Sequence, residues 1–328
     1  MLDLVEKVAP LGDGMVVRVP VDHQEDVALA RKWCDMTGNV FLSAGDGWIE
    51  VRRGRPRSAV EALSQSRRPG VRLWMYTNFD CNLACSYCCV RSSPSVARRA
   101  LGHEVIARVA ADAARCGVAE FYLTGGEPFI LSDIGDSIST CVELRPTTVL
   151  TNGMLFRGRR LQVLESLPRE NLALQISLDS PTPERHDKNR GDGSWDRAVE
   201  GIRTARGLGF RVRAAATIDN SERTTEDEGL SFRAFLDELG IDRDDQLIRP
   251  LAKRGLSTTG VTLRTETMVP EVTVTADGVY WHPVGADDPD MLIDREIFPI
   301  DEHIAKVISL FEEHTQRMES AATVFPCA

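Results

Sequence analysis

The stretch Asp80-Cys81-Asn82-Leu83-Ala84-Cys85-Ser86-Tyr87-Cys88 places three cysteines in one short loop, directly after the apolar run Val71-Arg72-Leu73-Trp74-Met75-Tyr76. Each iron of a cubane four-iron four-sulfur (4Fe-4S) cluster takes one protein thiolate, so a three-cysteine loop satisfies three irons and leaves the fourth open to another ligand. A tetrahedral zinc site would instead want four protein ligands, usually from pairs of C-x2-C. The loop therefore reads as a cluster-binding turn at the end of a buried strand, with Cys81, Cys85 and Cys88 as the metal ligands.

About thirty residues on, Phe121-Tyr122-Leu123-Thr124 reads as a second buried strand running into Gly125-Gly126-Glu127-Pro128. Two glycines let backbone approach a ligand closely, and a carboxylate with exposed carbonyls can take an ammonium group. The C-x3-C-x2-C spacing, the aromatic Tyr87 before the last cysteine and this GGEP segment together resemble the radical S-adenosylmethionine (radical SAM) superfamily. That resemblance implies that the open iron chelates the amino and carboxylate groups of S-adenosylmethionine, and that Tyr87, Gly125, Gly126, Glu127 and Pro128 lie against that cofactor. On this reading Gly126→Val would block the cofactor and leave the cysteine loop intact.

From residue 71 strand and helix alternate. Strands are expected at 71–78, 119–124, 146–151, 171–178, 210–217 and 245–250, with helices near 103–116, 131–143, 157–166, 194–208 and 226–238. Six such units imply a parallel sheet with right-handed crossovers, in an α/β fold of the partial (β/α)6 TIM-type barrel class, which agrees with the resemblance. A site is then expected at the C-terminal strand ends. There the sequence offers Thr151-Asn152-Gly153 and Ser177-Leu178-Asp179-Ser180, followed by His186-Asp187-Lys188-Asn189-Arg190-Gly191. The last segment resembles that of a branch holding molybdopterin-precursor and SPASM-type peptide-modifying enzymes. The resemblance assigns Thr151, Asn152, Ser177 and Asp179 to the cofactor, and Arg190 to its carboxylate through a bidentate fork. At the sixth strand end, Arg249 is the candidate clamp for an anionic substrate.

Composition narrows the classes of function. The chain has 328 residues, 42% hydrophobic and 27% charged, with a formal charge of −10, which opposes a nucleic-acid or anionic-membrane partner. No apolar run approaches a membrane span. Eight cysteines, three of them in the loop and the rest scattered, do not look like a secreted disulfide framework, and a cytoplasmic, reducing compartment is expected. Cys34, Cys89, Cys116 and Cys141 are expected as packing residues.

Four segments are expected: a lobe at 1–54, a linker at 55–70, the barrel at 71–255 and a C-terminal extension at 256–328. The lobe reads β-α-β-β and is similar to part of the TusA-like sulfur carriers, but Ala9-Pro10 stands where that family has its carrier Cys-Pro. No carrier role is expected of it. In the extension, Asp277-Gly278-Val279-Tyr280-Trp281-His282-Pro283 resembles a hairpin that reads Asp-Gly-x-Val-Tyr-x-Cys-Pro in the peptide-modifying relatives. His282 replaces that cysteine, and Cys327 is the only later one, so no auxiliary cluster is expected. The molybdopterin-precursor cyclases of the resembled branch carry a second cluster and a terminal Gly-Gly; neither is expected here, where the sequence reads Phe325-Pro326-Cys327-Ala328, and GTP cyclisation is not the expected reaction. His282 is a candidate proton carrier at the mouth, and Cys327 a candidate hydrogen-atom donor.

The reading as a whole is a radical SAM enzyme that cleaves S-adenosylmethionine reductively and takes a hydrogen atom from a small molecule or short peptide. A one-electron donor such as flavodoxin or ferredoxin is the expected partner, with neither nucleic acid nor membrane. The alternative from another class is a non-catalytic iron–sulfur or sulfur-relay protein.

Overall fold

The computed structural model describes residues 2–8, 10–12, 14–21, 24–54, 63–218 and 226–318. They fall into two compact units, one within Met1–Leu63 and one within Ser64–Thr315. In the first, α1 (Leu2–Val8), β1 (Val16–Pro20), α2 (Gln24–Thr37), β2 (Val40–Gly45) and β3 (Trp48–Arg52) follow in order. The sheet is antiparallel with order β1-β3-β2. Alternation sends Val19, Ile49 and Val51 inward onto Leu4, Val8, Ala30 and the buried Cys34. Helix α1 is an addition to the β-α-β-β reading.

The second unit runs β4 (Arg72–Tyr76), α3 (His103–Arg115), β5 (Glu120–Thr124), α4 (Ile134–Leu144), β6 (Thr147–Thr151), α5 (Arg159–Ser166), β7 (Leu172–Ser177), α6 (Pro183–Arg190), α7 (Ser194–Gly207), β8 (Arg211–Ile218), α8 (Glu226–Glu238) and β9 (Gln246–Pro250). After it come β10 (Val272–Thr275), β11 (Gly278–Tyr280), β12 (Leu292–Asp294) and α9 (Ile300–Met318). Strands β4 to β9 pair in parallel and in sequence order. The full order is β12-β11-β10-β4-β5-β6-β7-β8-β9, so β12 and β9 stand at the two ends and the barrel is open.

Two details differ from the sequence reading. The hairpin β10–β11 joins the barrel sheet itself, because β10 pairs in parallel with β4, Val272 opposite Leu73. The His186–Arg190 segment is helix α6, started by Pro183 at its first turn, where the missing N–H costs nothing.

Strand alternation separates two faces. Leu73, Met75, Phe121, Leu123, Val149 and Leu174 enter the main core with α3, α4 and α7. Trp74 and Tyr122 take the interior instead, stacked at 4.4 Å between centroids. Trp74 Nε1 donates to the buried Glu271, and Arg72 reaches Glu120 at 3.4 Å and Glu271 at 4.0 Å. Paired charges thus occupy the N-terminal end of the interior, and the site forms at the other end. No helix among the described residues is long and apolar enough to cross a membrane.

Candidate active site

At the C-terminal strand ends lies a cavity of about 210 Å3. Cys81, Cys85 and Cys88 all line it, with Tyr87 between the last two. The loop that carries them is held in shape by backbone: Leu83 N–H donates to Cys81 Sγ at 3.4 Å and Ser92 N–H to Cys88 Sγ at 3.2 Å. Such donors suit thiolates and tune a cluster they hold. Burial pushes the Cys81 thiol up to about 12 and raises Cys85 as well, so a metal that binds here must displace protons. Among the described residues, no group of three or more His, Cys, Asp or Glu side chains is gathered as a single metal ion requires. A cubane asks for something different, one sulfur on each of three irons, and three thiols of one loop around one cavity fit that demand.

Gly125 and Gly126 line the cavity too, but the need for glycine comes from the other side. Gly126 N–H donates to the Asn78 carbonyl at 2.9 Å and Glu127 N–H to that of Asp80 at 3.1 Å. A Cβ on Gly126 would enter the Asp80 carbonyl, and one on Gly125 would lie 2.6 Å from the Asn78 carbonyl oxygen. The GGEP turn is therefore bolted to the start of the cysteine loop. Gly126→Val should part the two loops and lower iron retention together with cofactor binding, contrary to the expectation that the loop survives. Full iron content in that variant, measured after anaerobic reconstitution, would show that the contact is not needed.

Glu127 is fully buried and absent from the cavity wall. Its oxygens accept from Thr151 Oγ1 at 2.7 Å, Asn152 N–H at 2.8 Å and Phe129 N–H at 3.0 Å. Burial raises its pKa despite those donors. It ties the β5 turn to the end of β6, so the ammonium contact expected of its side chain is not where the structure puts it. Pro128 is buried in the following 3-10 turn. Thr151 and Asn152 do line the cavity. Asn152 Nδ2 also donates to Asn82 Oδ1 at 2.8 Å, linking β6 to the cysteine loop. Asn82 was visible in the sequence only as a spacer.

Across the cavity, Ser177 and Arg190 are wall residues and Asp179 is not. Asp179 lies behind Arg190, accepting from its Nε at 2.7 Å and Nη2 at 3.3 Å, from the Tyr87 hydroxyl, and from Thr217 N–H at 3.0 Å. Burial alone would raise the Asp179 pKa, but the Arg190 charge and these bonds outweigh it and hold it low. Burial likewise works against the Arg190 charge, and Asp179 more than offsets that. Asp179 thus positions Arg190 and Tyr87, in place of the direct cofactor contact that its strand-end position suggested. Both members of the pair are buried, so Asp179→Ala strands a cation and should cost about 3–5 kcal/mol of stability in urea unfolding. A loss below about 1 kcal/mol would mean the pair does not brace this wall.

Arg249 lines the same cavity as the cysteines and Arg190, with its Nε 3.5 Å from Thr217 Oγ1. Thr217, one strand before, went unnoticed because nothing in an alanine-rich strand marks it. Cys89 also lines the cavity, where packing alone was expected, while Cys116 is exposed and Cys141 buried. His282 is not at the mouth. It is 1% exposed behind Pro283 and Val284, its Nδ1 accepts from Val284 N–H at 3.2 Å, and it caps the turn they begin. Burial and then Arg254 lower its pKa to about 3, so it is a neutral acceptor that does not carry protons near neutrality. Cys327 lies outside the described residues.

The extension closes the wall. Tyr76 hydroxyl donates to the Pro283 carbonyl at 2.7 Å, Leu256 N–H to the Cys88 carbonyl at 3.0 Å, and Arg91 pairs with Asp287 at 2.6 Å.

Residues 75–228 match the family model of the Radical SAM superfamily. The chain is 32% identical over 140 residues to the antilisterial bacteriocin subtilosin biosynthesis protein AlbA of Bacillus subtilis, covering 42% of this chain and 31% of that protein. It is 30% identical over 131 residues to a probable GTP 3',8-cyclase of Methanosarcina acetivorans, covering 38% of each. Among solved structures, SuiB of Streptococcus suis bound to S-adenosylmethionine superposes with a TM-score of 0.51 at 21% identity, over 61% of this chain and 45% of that one. The matches span about a third of the length of the two curated relatives, and the likeness to SuiB shows the fold, a partial barrel. What residues 75–228 share with the Radical SAM superfamily model thus takes in the cysteine loop, the GGEP turn and the strand ends at Thr151 and Ser177 that line the cavity.

Proposed function

We propose that this chain is an enzyme that cleaves S-adenosylmethionine by one-electron reduction and abstracts a hydrogen atom from a small-molecule or peptide substrate. The observation that carries the reading is that Cys81, Cys85 and Cys88 line one cavity with Gly125, Gly126 and Arg190, at the C-terminal edge of a parallel sheet. The three thiolates would hold a 4Fe-4S cluster, and cluster and cofactor together would supply a 5′-deoxyadenosyl radical. The protein's part is orientation and exclusion of water. Arg190, already paired with Asp179, offers its remaining guanidinium edge to the cofactor carboxylate. Arg249 stands where it can hold an anionic substrate group, and Trp74, Tyr76 and Leu251 supply apolar wall. A flavodoxin- or ferredoxin-type protein would deliver the electron.

The peptide branch of this reading is supported by the 32% identity to a bacteriocin biosynthesis protein. The test is an anaerobic assay of reconstituted protein with dithionite and S-adenosylmethionine. Formation of 5′-deoxyadenosine is expected, and protein loaded with iron that forms none would sink the reading. If Arg249 is the clamp, Arg249→Ala should lower substrate turnover much more than uncoupled cofactor cleavage, by ~2 kcal/mol or more for a desolvated charge-assisted contact. Equal losses would assign Arg249 to the cofactor or the fold.

A further inference from the structure

Gln175 sits midway along β7 and is 1% exposed, yet neither its amide oxygen nor its amide nitrogen has a hydrogen-bond partner among the described residues. Leu172, Leu174 and Ile176 take the helix-facing side of the strand, so Gln175 shares the interior face with Ser177. Register sets it between Leu150 of β6 and Arg213 of β8. Leu150 and Ser177 both line the cavity and Gln175 itself does not, which puts the amide one step beneath the wall, where it differs from Glu127 and Asp179 in having no protein partner among the described residues. The polar side chains nearby are engaged elsewhere: Tyr122 donates to Glu120 at 3.2 Å, and Arg213 faces Asp245 at 3.6 Å.

A buried amide without partners destabilises a fold, because both of its polar atoms have lost water and gained nothing. Methionine would fill nearly the same space without that penalty. A glutamine kept here is explained by a partner that arrives from the cavity and both donates and accepts. We propose that Gln175 is a specificity-determining residue, whose amide pairs with a peptide bond or carboxamide of the substrate as it enters the barrel interior. The inference rests on the proposed function and narrows its substrate to amide-bearing molecules. An anionic group on the same molecule would meet Arg249 nearer the mouth.

The test uses reconstituted holoenzyme without substrate. Iron content and S-adenosylmethionine binding of the wild type are measured first, since failure there strikes the proposed function. Gln175→Met is then expected to raise the unfolding midpoint by about 2–4 °C, with Gln175→Leu as a second variant should the first repack badly. N-methylacetamide, the simplest peptide-bond mimic, should raise the midpoint of the wild type and not that of either variant. An unchanged or lower midpoint in both variants would mean that the amide already has its partner in the substrate-free protein. Equal shifts with N-methylacetamide in wild type and variants, or none in any, would mean that Gln175 does not read amides. Either result in a normally loaded holoenzyme overturns this inference alone.

Discussion

Replacing Cys81, Cys85 and Cys88 together by alanine is expected to take bound iron from about four per chain to almost none after anaerobic reconstitution. The size of the effect follows from how the loop is built. All three thiols face one cavity, and two of their sulfurs receive backbone N–H groups that no side-chain substitution removes. The scaffold for a cluster would therefore remain and only the ligands would go. Cys89 is the rival, because it lines the same cavity beside Cys88. If Cys89 bound the fourth iron, no open iron would be left to chelate S-adenosylmethionine. Cys89→Ala should accordingly keep about four irons, and the cofactor should still bind. Loss of iron in that variant would make Cys89 a ligand and close the site that the proposed chemistry needs. Close to eight irons in the wild type would instead reveal a second cluster.

The barrel was legible because its evidence is periodic and local. Alternating apolar runs closed by glycine or by a polar strand end set β4 to β9 within a residue or two, and the same ends showed where the cavity would open. What the pattern does not carry is the direction in which a polar side chain spends its hydrogen bonds. Glu127 and Asp179 stand at strand ends as a cofactor ligand would, yet each is consumed by neighbours, Thr151 and Asn152 for one, Arg190, Tyr87 and Thr217 for the other. Those neighbours lie on other elements, up to 92 residues away in the case of Tyr87 and Asp179. His282 misled for a related reason, since a histidine in place of a cysteine suggests chemistry, whereas here its ring caps a turn. The pairing of β10 with β4 was equally hidden, because the two strands are separated by the whole barrel. Gln175 was missed inside a strand, Leu172–Ser177, whose other residues are all apolar or small.

Acid should begin to destabilise the barrel unit from about pH 6.5 downward, before its carboxylates titrate, and two buried histidines are the cause. His186 is 1% exposed, and its Nδ1 accepts from Asp179 N–H at 3.2 Å. Burial, reinforced by the Arg190 charge, lowers its pKa to about 4. His282, equally buried, is lowered to about 3. In the unfolded chain both titrate near 6.5. Between pH 6.5 and 4 the unfolded state therefore binds about two more protons than the folded one, and stability rises with pH and is lost as pH falls. Two protons correspond to roughly 2.7 kcal/mol per pH unit, or at most about 7 kcal/mol over that window. A typical domain has about 5–15 kcal/mol in all. Asp179 acts in the same direction but later. Its folded pKa is depressed, so its contribution is present above about pH 3.9 and lost only as pH falls through the lower folded value. Urea unfolding at a series of pH values measures the slope. Asparagine keeps an acceptor near the position of Nδ1 and cannot titrate, so His186→Asn and His282→Asn should each remove about one proton from it. Comparing these variants with wild type at equal iron content separates the histidines from acid loss of the metal. A flat profile from pH 6.5 to 5 in the wild type, or slopes unchanged in both variants, would show that neither ring is held neutral by the fold.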